Sequence, residues 1–189
     1  MNERLQLPKL TAILVTAIVG ATAAGPLMAQ QTPAQQPPAQ QQPPIPTCDD
    51  SHYSDFDFWV GDWVVTDPNG DLAGENTVEK ILNDCVVKEN WRGAQGSIGQ
   101  SFNMYYARVG EWRQNWVDGA GGRLDISGGL DKKGRMVLRG EMPGREGGMV
   151  LHEISYTPNA DGTVTQHWRA SKDAGATWID LFLGTYTRK

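Results

Sequence analysis

Glu89 lies at the centre of Val86-Val87-Lys88-Glu89-Asn90-Trp91-Arg92-Gly93, where alternation places it on one face with Val87 and Trp91. A carboxylate on an apolar strand face is suited to acid–base chemistry, or to orienting a ligand in a dry site. Asp118 and Glu153 could complete a carboxylate pair for glycoside or proton-transfer chemistry, but no spacing in the sequence brings either to Glu89. His152 and His167 fall on what should be adjacent strands, with Glu153 beside the first, and loop register sets His167 opposite His152 or Glu153. Such a set could hold zinc with an open position. His167 is opposite in parity to Trp168, however, and should point outward, so no metal and no haem is assigned. Nucleophile motifs and phosphate-binding loops are absent from the sequence.

The richer signal is a mixture of aromatics and amides on inward strand faces. Over Trp112–Asp118 one face carries Trp112, Gln114 and Trp116, and over Thr163–Ser171 the matching face carries Val164, Gln166, Trp168 and Ala170. Ser101–Val109 is ambiguous: either Phe102, Met104 and Tyr106 point in, or Ser101, Asn103 and Tyr105 do. With the second set inside, the candidate ligand-binding residues are Glu89, Trp91, Asn103, Tyr105, Gln114, Trp116, Gln166 and Trp168. Aromatic area with a few amides suits a flat or partly polar small molecule. The competing arrangement is a filled interior in which these groups satisfy one another.

These residues need elements to hold them, and the chain supplies strands. Expected strands run over 63–66, 72–82, 86–93, 101–109, 112–118, 123–130, 135–142, 149–157, 163–171 and 178–188. Turn signals separate them, among them Asp67-Pro68-Asn69-Gly70, Asp131-Lys132-Lys133-Gly134 and Pro158-Asn159-Ala160-Asp161-Gly162. Helical periodicity is missing except for one turn at Ser54–Trp59. Roughly ten short strands joined by hairpin-length loops predict an all-β, single antiparallel up-and-down β-barrel, with a two-sheet sandwich as runner-up. The strands are too short for an outer-membrane channel.

The run Phe56-Asp57-Phe58-Trp59-Val60-Gly61-Asp62-Trp63 resembles the opening motif of lipocalin-like (calycin) barrels. That likeness implies a tight turn at the glycine and an indole closing one barrel end. It also implies that Arg188 lies over Trp63 as a cation–π lid. With Cys85–Trp91, Trp112–Asp118 and Gly184-Thr185-Tyr186-Thr187-Arg188, the run resembles a group of uncharacterised secreted bacterial proteins with a domain of unknown function. The likeness spans nearly all of the barrel region and implies a calycin-like fold without an established activity. Ser171-Lys172-Asp173-Ala174-Gly175-Ala176-Thr177-Trp178 also matches the Asp-box of sialidase-type propellers. Those repeat the unit in several blades, so a single copy reads as a well-made hairpin.

The N-terminal region reads as targeting sequence. Arg4 and Lys9 precede an uncharged stretch from Leu10 to Ala24, and cleavage after Ala23 or Ala29 predicts a signal peptide within residues 1–29. The apolar run is shorter than a membrane span requires, so no span is expected after cleavage. Residues 30–47 are a Gln/Pro-rich spacer expected to be disordered, leaving 48–189 as the β-barrel domain. The chain carries a net charge of −5, becoming −6 once Arg4, Lys9 and Glu3 leave with the leader. Its basic residues are scattered, which argues against nucleic acid. Cys48 and Cys85, the only cysteines, most simply form a disulfide in an oxidising compartment. The expectation is a periplasmic or secreted barrel binding a small molecule without catalysis. The alternatives are an isomerase or hydrolase using a buried carboxylate, or a solid barrel acting as a structural or interaction protein. Cofactor, ligand and oligomeric state cannot be read from these residues.

Overall fold

An aspartate or asparagine leaving one strand and a glycine three residues later build four of the hairpin loops. They are Asp67–Gly70, Asp118–Gly121, Asp131–Gly134 and Asn159–Gly162, each closed by a bond from the glycine N–H to the first carbonyl. The glycines adopt φ between +75° and +88°, the left-handed position of a bulge-type hairpin loop. Asp67, Asp118 and Asp131 each use one carboxylate oxygen to accept two loop N–H groups, at 2.7 to 3.0 Å. The Asp-box run is a tighter hairpin loop, with Ala174 and Gly175 both at positive φ and the Ala176 N–H bonded to the Asp173 carbonyl. Asp173 accepts from the Thr177 N–H and hydroxyl, and these bonds pull its carboxyl down to about 2.

A computed structural model describes residues 48–189; the expected signal peptide and spacer lie outside the described residues. The strands are β1 (Gly61–Thr66), β2 (Leu72–Ile81), β3 (Val86–Gly93), β4 (Ile98–Tyr106) and β5 (Glu111–Asp118). They continue as β6 (Arg123–Leu130), β7 (Met136–Pro143), β8 (Met149–Pro158), β9 (Val164–Ser171) and β10 (Ile179–Arg188). Each strand pairs antiparallel with the next, and β1 pairs with β10, so the sheet closes as a ten-stranded up-and-down barrel. That closure overturns the sandwich alternative. The strand expected over 101–109 begins at Ile98 and ends at Tyr106, because Val109 and Gly110 bond back to the Tyr106 carbonyl as a turn. Among the described residues no helix is long and apolar enough to cross a membrane.

A ten-stranded barrel encloses more space than small strand residues fill, and the segment before β1 fills one end of it. The expected turn at Ser54–Trp59 is in fact two 3-10 turns, Ser51–Ser54 and Asp57–Trp59. They insert Phe56 and Trp59, both fully buried, between Trp112, Tyr156 and Tyr186. Trp63 is also fully buried, and its indole N–H donates to the Trp59 carbonyl at 2.9 Å. The Arg188 guanidinium lies 4.4 Å over the Trp63 ring and donates to the Val60 carbonyl at 3.1 Å. Trp63 and Arg188 are therefore the plugged end expected of them.

Cys48 and Cys85 form a disulfide that ties the start of the described chain to the β2–β3 loop at this end. Leu82, Asn83 and Asp84 in that loop all hold positive φ, a conformation costing about 1–3 kcal/mol per non-glycine residue. Crosslinking across a sequence separation of 37 offsets it by about 4 kcal/mol on the chain-entropy model. Cys85→Ser is expected to lower stability by about 2–4 kcal/mol in urea unfolding, with a larger m value as the unfolded chain loses its crosslink.

Gly61 holds φ +149°, and a Cβ there would meet Arg188 Nη1 at 2.3 Å. Gly61→Ala should cost about 1–3 kcal/mol in urea unfolding and alter the near-UV signal of Trp63 as the guanidinium is displaced.

Candidate functional site

Strand alternation sends Asn76 of β2, Glu89 of β3, Ser101 and Asn103 of β4, and Gln114 of β5 into the barrel. Tyr156 of β8, Gln166 of β9 and Tyr186 of β10 complete the polar set from the other wall. The ambiguity in β4 resolves toward the second set, since Phe102, Met104 and Tyr106 are exposed outside. Glu89 is directly opposite Ser101, and Ser101 is opposite Trp116, so the inner faces of β3, β4 and β5 are in step.

These eight side chains form a closed belt of hydrogen bonds. Asn76 Nδ2 and Ser101 Oγ each donate to one Glu89 oxygen at 2.7 Å. Asn103 Nδ2 donates to Ser101 Oγ at 2.9 Å and to the Val87 carbonyl at 3.0 Å. Gln114 Nε2 donates to Asn103 Oδ1 at 2.7 Å and to the Tyr156 hydroxyl at 3.0 Å. Gln166 Nε2 reaches the same hydroxyl at 3.4 Å, Tyr186 donates to Gln166 Oε1, and Asn76 Nδ2 closes the belt on the Tyr186 oxygen at 3.4 Å. A buried network of this kind is stable only when nearly every member is satisfied. Two groups deep in the belt fall outside that accounting, besides the Gln114 carbonyl oxygen that opens onto the cavity. Asn76 Oδ1 is buried without a partner, and the Tyr156 hydroxyl accepts two bonds while donating none among the described residues.

Above the belt, at the end away from the plug, the barrel is open. A cavity of about 560 Å³ is floored by Glu89, Gln114, Tyr156, Gln166 and Tyr186. Trp91, Trp116, Trp168 and Phe182 wall it, with Leu124 and Ile154 between them. The walls stand clear of the lumen because inward glycines let rings lie flat on the sheet. A Cβ at Gly99 of β4 would meet the Trp116 ring at 2.1 Å, and one at Gly74 of β2 would meet Trp91 at 2.7 Å. Gly184 seats Phe182 in the same way, at 2.6 Å. Trp91 is further held by its bond to Ser97 Oγ at 3.3 Å and an edge-on contact with Phe182, the centroids 6.0 Å apart. The Trp168 indole N–H donates to His152 Nδ1 at 3.1 Å, which leaves the other ring nitrogen carrying the histidine proton. Burial lowers the pKa of His152, in keeping with that neutral form.

Burial dominates the electrostatics of the floor. Desolvation raises Glu89 to about 7, against the opposing bonds from Ser101 and Asn76. Desolvation, and next the nearby Glu89 charge, push Tyr156 and Tyr186 well above the ordinary tyrosine value.

Six expected site residues therefore line one cavity: Glu89, Trp91, Gln114, Trp116, Gln166 and Trp168. Asn103 shares the inner face but sits in the belt beneath the cavity, bonded to Gln114. Tyr105 is a correction. It faces inward at the plugged end, stacked on His52 at 5.0 Å and edge-on to Tyr53 at 5.5 Å, far along the barrel from the mouth. The carboxylate pairing is a second correction: Asp118 caps the β5–β6 loop, and Glu153 lies outside between Arg139 and Arg169. Register corrects the histidines too, since His167 is opposite Ser155 and bonds Asp180 while His152 is opposite Ala170. Phe182, Tyr156, Tyr186 and the three glycine seats escaped sequence reasoning. Their signal in the sequence is the inward parity that Phe182, Gly184 and Tyr186 share on β10 and that Tyr156 shares with Ile154 on β8.

Comparison of the chain with protein-family models finds no match, and comparison with curated proteins finds none.

Because the native state keeps the Glu89 proton up to about pH 7 and the unfolded chain loses it near 4.5, the folded form binds more protons across that window. Stability contributed by Glu89 therefore falls as pH rises from 4.5 to 7, by about 3 kcal/mol in all, and is level above it. Urea unfolding at pH 5 and pH 8 should show Glu89→Gln gaining on wild type by about that amount at the higher pH. An unchanged difference between the two pH values would mean that Glu89 is ionised throughout.

Proposed function

We propose that this chain is an exported, non-catalytic β-barrel that binds a small, partly polar molecule in its open mouth. The observation carrying this reading is the cavity itself. At about 560 Å³ it lies within the range of small-molecule sites, with flat aromatic walls and a polar floor. A solid structural barrel would need side chains in that space, so the cavity counts against the third alternative. The disulfide supports an oxidising compartment, periplasmic or extracellular, where such a pair persists.

The enzyme reading keeps one supporting observation: Glu89 is internal, desolvated and raised to about 7, as a general acid or base would be. Against it, no second carboxylate lines the floor beside Glu89 among the described residues. Asp67 and Asp71 lie at the mouth, on the β1–β2 loop. Binding is the simpler use of this arrangement.

The test is mass spectrometry of the protein purified natively from its own envelope, with tryptophan fluorescence on addition of small aromatic probes. A retained organic molecule, or saturable quenching at Trp91, Trp116 and Trp168, is the expected result. An empty preparation whose fluorescence no probe alters would overturn the reading. Gly99→Val supplies the structural control. Its side chain cannot coexist with Trp116 lying flat, so the indole should swing into the lumen and weaken probe binding by about tenfold or more. Trp116→Leu, which removes a wall without adding bulk, should weaken it several-fold with the far-UV spectrum unchanged.

A further inference from the structure

The charge of the lining narrows the ligand class. Among the described residues, Glu89 on the floor and Asp67 and Asp71 at the mouth are its only charged groups, and no lysine, arginine or histidine lines the cavity. An anionic ligand would find no counter-charge there and would meet the buried Glu89 carboxyl on the floor, with two further carboxylates at the rim. The walls point the same way. Trp91, Trp116, Trp168 and Phe182 present π faces and edges, and the indole face is the strongest side-chain partner for an organic cation.

The floor also offers a free acceptor. Gln114 is 2 % exposed, and its amide orientation is set by the two bonds that its nitrogen donates, to Asn103 and Tyr156. Its carbonyl oxygen accepts no hydrogen bond among the described residues, although Gln114 lines the cavity. Unlike Asn76 Oδ1, this oxygen is not sealed in the wall but opens onto the cavity, where a ligand N–H can donate to it. With the Glu89 carboxylate, this gives two acceptors and one negative charge on the same floor.

Resting on the binding reading above, we propose that the cavity takes an organic ammonium compound. Its flat or aromatic body lies between the tryptophans, and its protonated amine meets Glu89 and the Gln114 carbonyl oxygen. The ammonium favours the ionised carboxylate, so binding expels the Glu89 proton to solvent. Other titratable groups facing the site do not compete for that proton: Tyr156 and Tyr186 stay neutral, and His152 is tied to Trp168. Asp67 and Asp71 at the mouth add attraction for a cation on its way in.

Three probes of one skeleton test this by calorimetry and tryptophan fluorescence: phenethylamine, 2-phenylethanol and 3-phenylpropionate. The amine should bind about tenfold or more tightly than the alcohol, and the carboxylate more weakly than either. Titrations at pH 7 in buffers of different ionisation enthalpy should show release of about half a proton per amine bound, and none for the alcohol. Glu89→Gln should abolish both the preference for the amine over the alcohol and the proton release. If that variant does not fold, the ranking of the three probes and the proton count on the wild-type protein decide alone. An alcohol that binds as tightly as the amine, or an amine preference that survives in folded Glu89→Gln, overturns the ammonium assignment and leaves small-molecule binding standing. No response to any of the three overturns both.

Discussion

A ten-stranded barrel must fill its own interior, and the rest of this molecule follows from how one end is filled. The strands line the closed end with Val78, Val87, Trp112, Met136, Leu138 and Val164, and the remaining space at its centre is taken by residues from outside the sheet. Phe56 and Trp59 enter from outside the sheet and stack at 4.8 Å, with Trp59 4.5 Å from Tyr156. This plug fixes which end is closed. It also supports the hydrogen-bonded belt immediately above it, since Tyr156 and Tyr186 pack their rings on Trp59 and present their hydroxyls to Gln114 and Gln166. The interior is therefore tiered: aromatic plug, polar belt, open cavity.

The belt is the costly tier. A carboxyl, three amides among Asn103, Gln114 and Gln166, the Asn76 amide and three hydroxyls are withdrawn from water together, and each bond depends on its neighbours. Nothing in the plug requires this. An apolar belt would fill the same space with less risk of an unpaired group, and Glu89 sits there as a group whose proton is easily moved. Stability alone does not account for such a composition at the floor of an open cavity. The glycine seats carry the same implication, because Gly74, Gly99 and Gly184 give up core packing to keep the rings out of the lumen.

Much of this was legible in the residues, and the limits have physical causes. Period-two alternation placed Glu89, Gln114, Gln166 and the three wall tryptophans correctly, because alternation reports the face of a strand. It does not report height along the barrel, which is why Tyr105 was grouped with the mouth although it belongs to the plug. β4 could not be oriented from its own sequence, since Phe102 and Met104 are apolar yet exposed, and only pairing with Glu89 and Trp116 decides. The carboxylate and histidine pairings failed for the same reason: partnership across strands depends on register, not on spacing. Phe56 and Trp59 lay in a segment too short to show periodicity, and a glycine seat is a missing side chain.

Closure of the sheet has a consequence for the order of assembly. Every strand pairs with its sequence neighbour except at the seam, where Trp63 of β1 meets Arg188 of β10 and 128 positions separate Arg188 from its Val60 contact. Nine hairpins can form locally, but the seam must await the final strand and carries the largest loop-closure entropy. Until then β1 and β9 both present bare edges, and the Trp63 ring lacks its guanidinium cover. The cavity, whose wall includes Phe182 and whose floor includes Tyr186, comes into being only with that last pairing. A chain held unfolded until its C-terminal strand is delivered would thus acquire its barrel and its binding site in one step.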